Sequence, residues 1–173
     1  MYLHPAFWNT DLAGWRPGAP GRSPLAPAQL AAVTERFAAA AERWRPTARQ
    51  DPLRGRRTRL LRTDSVEVWL LGWAPGQSLG AHDHGGATGA FTVVEGILVE
   101  ECLDPTIWTT GRRTTFPAGS RSAFGPEHVH VLGNRGTGPA SSVHASSPPG
   151  VPARFAGSGA PARAALQVAG AAS

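Results

Sequence analysis

An all-β barrel or sandwich is the fold this sequence predicts, and three observations lead there. From residue 57 onward, short β-rich runs follow one another, broken at brief intervals by glycine and proline. Five of the six histidines fall between positions 82 and 144, on or beside those runs. A chain of 173 residues with no internal repeat and no separating linker suits one domain around one core.

The elements follow in chain order. Residues 1–25 carry Pro5, Pro17, Pro20 and Pro24 among scattered aromatics, which predicts an extended arm anchored by Phe7, Trp8 and Trp15. Leu30, Val33, Phe37 and Trp44 recur at helical spacing among alanines, so a helix is expected near residues 27–45, with Ser23 to Ala26 leading in and Pro46 closing it. Strands are expected over Val66 to Trp73, Ala90 to Glu95, Ile97 to Cys102, Thr114 to Phe116, His128 to Leu132 and Ser141 to Ala145. The domain is thus expected to occupy residues 26–150, and the alanine- and glycine-rich residues 151–173 read as a partly ordered tail.

Composition narrows the function classes. The net charge of +5 comes from seventeen arginines and no lysine, a codon-type bias more than a selected positive surface. The one dense basic stretch, Arg54, Arg56, Arg57, Arg59 and Arg62, reads either as a phosphate-binding patch or as a solvated segment entering the barrel. The second reading is preferred because no aromatic residues suited to base stacking lie within it, and no nucleic-acid partner is expected. Cys102 is the only cysteine, so an intramolecular disulfide is impossible, and it reads as a small buried residue, not a nucleophile. No apolar stretch reaches membrane-spanning length and no basic-then-apolar leader opens the chain, so a soluble cytoplasmic protein without a membrane partner is expected.

His82 and His84 are two residues apart, and on an extended strand such residues share a face and can offer two imidazoles to one metal ion. A lone histidine is ordinarily a core or surface residue; here the glycines around the pair carry more weight. Gly76, five residues, His82, Asp83, His84, four residues, Gly89, six residues, Gly96 resembles the first motif of the cupins, with Gly89 where their glutamate stands. Gly111, five residues, Pro117, Ala118, Gly119 resembles the start of the second motif, and His130 followed after three residues by Asn134 resembles its end. His128 points to the same face as His130 and is the second choice of ligand. Three imidazoles without a carboxylate suit iron, zinc, copper or nickel.

The segments HDHGGATGAF, Glu95-Gly96, GPEHVHVLGN and SVHASSPP together resemble the thiol dioxygenases of the cysteine dioxygenase family in their shorter bacterial form, over roughly Thr58 to Pro149. The resemblance implies a cupin barrel in which His82, His84 and His130 bind iron(II) and a small thiol is oxidised by O2, most directly cysteine to cysteine sulfinic acid. It implies that Gly89 stands where animal members have a cysteine cross-linked to tyrosine. It also implies that Ser142 and His144 match the first two members of a serine, histidine, tyrosine relay. Ser146 stands in the tyrosine's place, and the only tyrosine in the chain is Tyr2. Arg59 resembles the arginine that holds the substrate carboxylate, with Arg57 and Arg62 within reach of the same alignment. The expected partners are a small thiol and dioxygen, with the protein a monomer or weak homo-oligomer. Three other outcomes are carried forward: a further oxidised or rearranged sulfur product such as a sulfonamide, a zinc or nickel cupin acting on a different substrate, and a non-catalytic ligand-binding cupin.

Overall fold

Val66, Val68 and Leu70 alternate with Trp69, Leu71 and Trp73, and the computed structural model, which describes residues 1–8, 10, 23–48 and 57–156, shows why both sets are apolar. The first set packs with Leu30, Val33, Phe37 and Trp44 in an outer core, whereas the second joins Leu79, Phe91, Val93, Leu98 and Leu132 inside the barrel. A strand covered on both faces loses the polar alternation of a half-exposed one.

The strands are β1 (Tyr2–Leu3), β2 (Arg57–Arg62), β3 (Glu67–Trp73), β4 (Ser78–Asp83), β5 (Thr88–Glu95), β6 (Ile97–Leu103), β7 (Thr110–Pro117), β8 (Arg121–Phe124), β9 (Val129–Gly133), β10 (Ala140–Ser147) and β11 (Arg154–Phe155). They form a six-stranded sheet in the order β1-β2-β3-β10-β5-β8 and a five-stranded sheet in the order β11-β4-β9-β6-β7. Every pairing is antiparallel.

The expected single helix is two, α1 (Pro27–Ala39) and α2 (Ala41–Ala48). Pro46 lies within α2 and does not close a longer helix. Trp44, fully buried, donates its indole N–H to Phe37 O at 3.0 Å, which ties α2 back to the end of α1.

The arm differs from the extended form expected of it. Tyr2 and Leu3 add a strand to β2, and Pro5–Phe7 make a 3-10 turn. Phe7 is buried against Phe37, with ring centroids 5.1 Å apart, whereas Trp8 is 64% exposed and its indole N–H reaches back only to Leu3 O at 3.1 Å. Trp15, Arg54, Arg56 and the tail beyond residue 156 lie outside the described residues. The tail residues that are described do hold structure: Arg154 and Phe155 pair with Asp83 and His82 of β4.

Candidate metal centre and substrate cavity

His82 on β4 and His130 on β9 are direct partners across the five-stranded sheet, and His84 follows one residue after β4 ends. The ring nitrogens of the three lie within 4.8 Å of one another. His130 Nε2 stands 3.1 Å from His82 Nε2 and 3.2 Å from His84 Nε2.

For His82 and His130 the outer nitrogen decides where the proton sits. His82 Nδ1 lies 2.7 Å from Gly80 O, which can only accept, so the proton is on Nδ1 and Nε2 faces inward with a bare lone pair. His130 Nδ1 likewise lies 2.7 Å from Glu100 Oε1 and donates to it. Two bare nitrogens 3.1 Å apart have no proton to share, an arrangement that repels unless a cation lies between them. Burial first, and the neighbouring imidazoles second, hold His84 below the ordinary histidine pKa and push His82 down to about 3. The three neutral nitrogens therefore fit a divalent transition metal.

Sequence reasoning did not find Glu100. Its Oε1 accepts from both His130 Nδ1 at 2.7 Å and His128 Nε2 at 2.9 Å. Burial raises its pKa, but the bonds from His128 and then His130 outweigh that and bring it to about 2. Cys102 is half-buried beside it, not packed away as expected; burial and the Glu100 carboxylate raise the thiol pKa. His128, the second-choice ligand, is thus turned toward Glu100. The signal lay in strand parity: Leu98 faces the barrel interior, so Glu100 and Cys102 must as well.

On β10, Ser142, His144 and Ser146 share one face by the same parity. Ser142 Oγ lies 2.7 Å from His144 Nε2 and accepts the indole N–H of Trp73 at 2.9 Å. Ser142 is fully buried, so its own proton needs an acceptor; His144 Nε2 supplies one, which leaves the imidazole proton on Nδ1. Burial, and then the nearby His130 and His82, push His144 down to about 3. The ring stacks on Phe91 at 5.5 Å. Trp73, also missed from the sequence, supplies the donor at the start of this chain.

A cavity of about 310 Å³ opens beside the histidines, lined among others by Arg57, Arg59, Trp69, His144 and Ser146. The register across the sheet puts Arg59, Trp69, His144 and Phe91 in one row. The guanidinium carbon of Arg59 lies 4.6 Å from the Trp69 ring centre, and its buried Nε has no hydrogen-bond partner, nor does Trp69 Nε1.

Gly89 is fixed by close approach. A Cβ there would come within 2.3 Å of the Phe124 ring, so this barrel has no room for the cysteine that animal members of the resembled family carry. Val151, Pro152, Ala153 and Phe155 line one side of the cavity: Phe155 stacks on His82 at 5.1 Å, and Arg154 Nε donates to Asp83 Oδ2 at 2.8 Å.

Two antiparallel sheets with a histidine cluster and cavity between them make this chain a cupin, and the solved structures it resembles agree. A protein with a double-stranded β-helix domain from Klebsiella pneumoniae matches with a TM-score of 0.53 and 23% identity, over 64% of this chain and 90% of that one. A protein from Bacillus halodurans matches at 0.54 and 18%, over 62% and 79%. An oxalate oxidase in complex with glycolate matches at 0.52 and 20%, over 62% and 57%. At these identities the likeness concerns the fold alone. No curated protein sequence matches this chain significantly. The chain belongs to the family described as cysteine dioxygenase type I, whose model matches residues 24–154.

Proposed function

We propose that this chain is an oxygenase that uses iron(II), held by His82, His84 and His130, to oxidise the sulfur of a small thiol, with cysteine to cysteine sulfinic acid as the reference reaction. The observation that carries the reading is the convergence of three imidazoles, with the inner nitrogens of His82 and His130 proton-free, beside a cavity lined by an arginine whose Nε has no partner. Iron(II), when bound, supplies the redox centre at which thiol sulfur and dioxygen react; RSH and O2 together account for every atom of RSO2H. The chain does the rest by placement. Arg59 holds the carboxylate, because a planar guanidinium offers two parallel donors and its buried Nε needs an acceptor. His144, oriented by Ser142 and Trp73, keeps a proton on Nδ1 as a fixed donor in the cavity wall. Phe124, Phe155 and Leu132 line the same space and limit water. Ser146, in the tyrosine's place, leaves room in that wall, and a further oxidised or rearranged sulfur product is the second outcome to look for.

The reading needs only a small thiol and O2 as partners and suits the reduced thiol pool of the cytoplasm. It is tested by anaerobic reconstitution with iron(II), exposure to oxygen with cysteine, cysteamine and 3-mercaptopropionate, and mass analysis of the products. Oxygen uptake matched by a product carrying two added oxygen atoms is expected. Absence of uptake with every thiol, despite bound iron, would reduce the protein to a ligand-binding cupin.

A further inference from the structure

Arg57 and Arg59 are two residues apart on β2, so both side chains reach the same face and both line the cavity. Their guanidinium carbons lie 3.8 and 4.6 Å from the centre of the same indole, that of Trp69. Two cations brought to one ring repel each other and need counter-charge. The one acidic side chain among the residues lining the cavity is Glu67, and it is already engaged. Its Oε2 faces Arg62 Nη1 at 3.7 Å and its Oε1 accepts the Gly150 N–H at 3.0 Å. Arg57 has no ion pair with any described residue, and burial together with Arg59 lowers its pKa, while Glu67 offsets only part of that. Arg57, more exposed than Arg59, therefore brings to the cavity a second positive charge that has no ion pair of its own among the described residues.

A single carboxylate balances one of these two charges. A planar cation lying over an aromatic face keeps its N–H groups around its own rim, so two such cations offer two forks, each suited to its own oxygen pair. We propose, building on the thiol oxygenase reading above, that the cavity selects thiols bearing two carboxylates, with Arg59 holding one and Arg57 the other.

The test has a binding arm and a turnover arm, both on the full chain. In calorimetry at fixed ionic strength, succinate should bind at least tenfold more tightly than propionate, and Arg57→Gln should bring that ratio close to one, with Arg57→Lys restoring part of it. In the iron-loaded protein, kcat/KM for 2-mercaptosuccinate should exceed that for 3-mercaptopropionate by about tenfold, and the ratio should collapse in Arg57→Gln. Equal binding of the two acids by the parent, or a preference that Arg57→Gln leaves intact, would overturn the proposal, and the latter result would mean that one carboxylate is bridged by other groups. Preference for succinate together with no oxygen uptake on any thiol would instead keep the dianion site and defeat the oxygenase reading.

Discussion

Two polar clusters share the interior of this barrel, and they are held together in opposite ways. In the first, His82, His84 and His130 turn ring nitrogens toward one another, with no proton between His130 and His82 at 3.1 Å. In the second, Glu100, Cys102 and His128 also bring potential ligand atoms within 4.8 Å, yet every close contact joins a donor to an acceptor. The first cluster leaves two lone pairs facing each other; the second is complete with protons alone. Proximity of ligand-type atoms does not make a metal site, and the placement of hydrogens separates the two. The clusters meet at one bond, His130 Nδ1 to Glu100 Oε1, which turns the third imidazole's lone pair inward and raises its basicity.

That contrast can be strained from several sides, the strongest being pH. His82 and His144 have folded-state pKa values near 3, below the unfolded value of 6.5, so between those limits the unfolded chain binds protons that the folded one refuses. Stability should be unaffected by these groups above about pH 6.5 and should fall below it by about 1.4 kcal/mol per pH unit for each group. Urea unfolding of the metal-free protein at pH 7, 6 and 5 measures this; a flat profile would mean the imidazoles are not held neutral. Added divalent metal should raise the midpoint at pH 7 and lose that effect as protons compete for the same nitrogens.

Next in size is Glu100. Glu100→Gln keeps an oxygen opposite His130 but removes the charge, and iron(II) affinity should weaken by about 10- to 100-fold. An unchanged affinity would show that the carboxylate serves only its own cluster. Ser142→Ala should cost about 1 kcal/mol in the transition state, or roughly fivefold in kcat, with metal affinity retained, because it frees His144 to rotate without touching the triad. Loss of metal in that variant would tie the relay to the ligands. The smallest effect is expected for His128→Asn, which keeps a donor for Glu100 and should change metal affinity by no more than a few-fold.

The sequence carried the triad because glycine spacing and histidine parity are local signals: His82, His84, His130 and Asn134 sit where turns and strands of fixed length must place them. Asn134 locks its turn through bonds to Gly138 O at 2.8 Å and from Gly136 N at 2.9 Å. Trp73 was hidden because its bond to Ser142 spans 69 residues and depends on strand pairing that no local pattern encodes. Glu100 was hidden between Val99 and Glu101, where two successive glutamates look alike until strand register sends one inward. Composition marks residues 151–173 as a partly ordered tail without saying which part is held; backbone pairing of Arg154 and Phe155 with β4 holds its start, and Gly85 lets the segment pass, since a Cβ there would come within 2.5 Å of Pro152 O.

The most direct measurement is iron(II) stoichiometry in the parent protein, His130→Ala and His128→Asn, each titrated anaerobically and read by calorimetry. One ion per chain in the parent, one in His128→Asn and none in His130→Ala is the expected result. Retention of iron by His130→Ala together with its loss from His128→Asn would place the metal in the cluster that the hydrogen bonds mark as already complete.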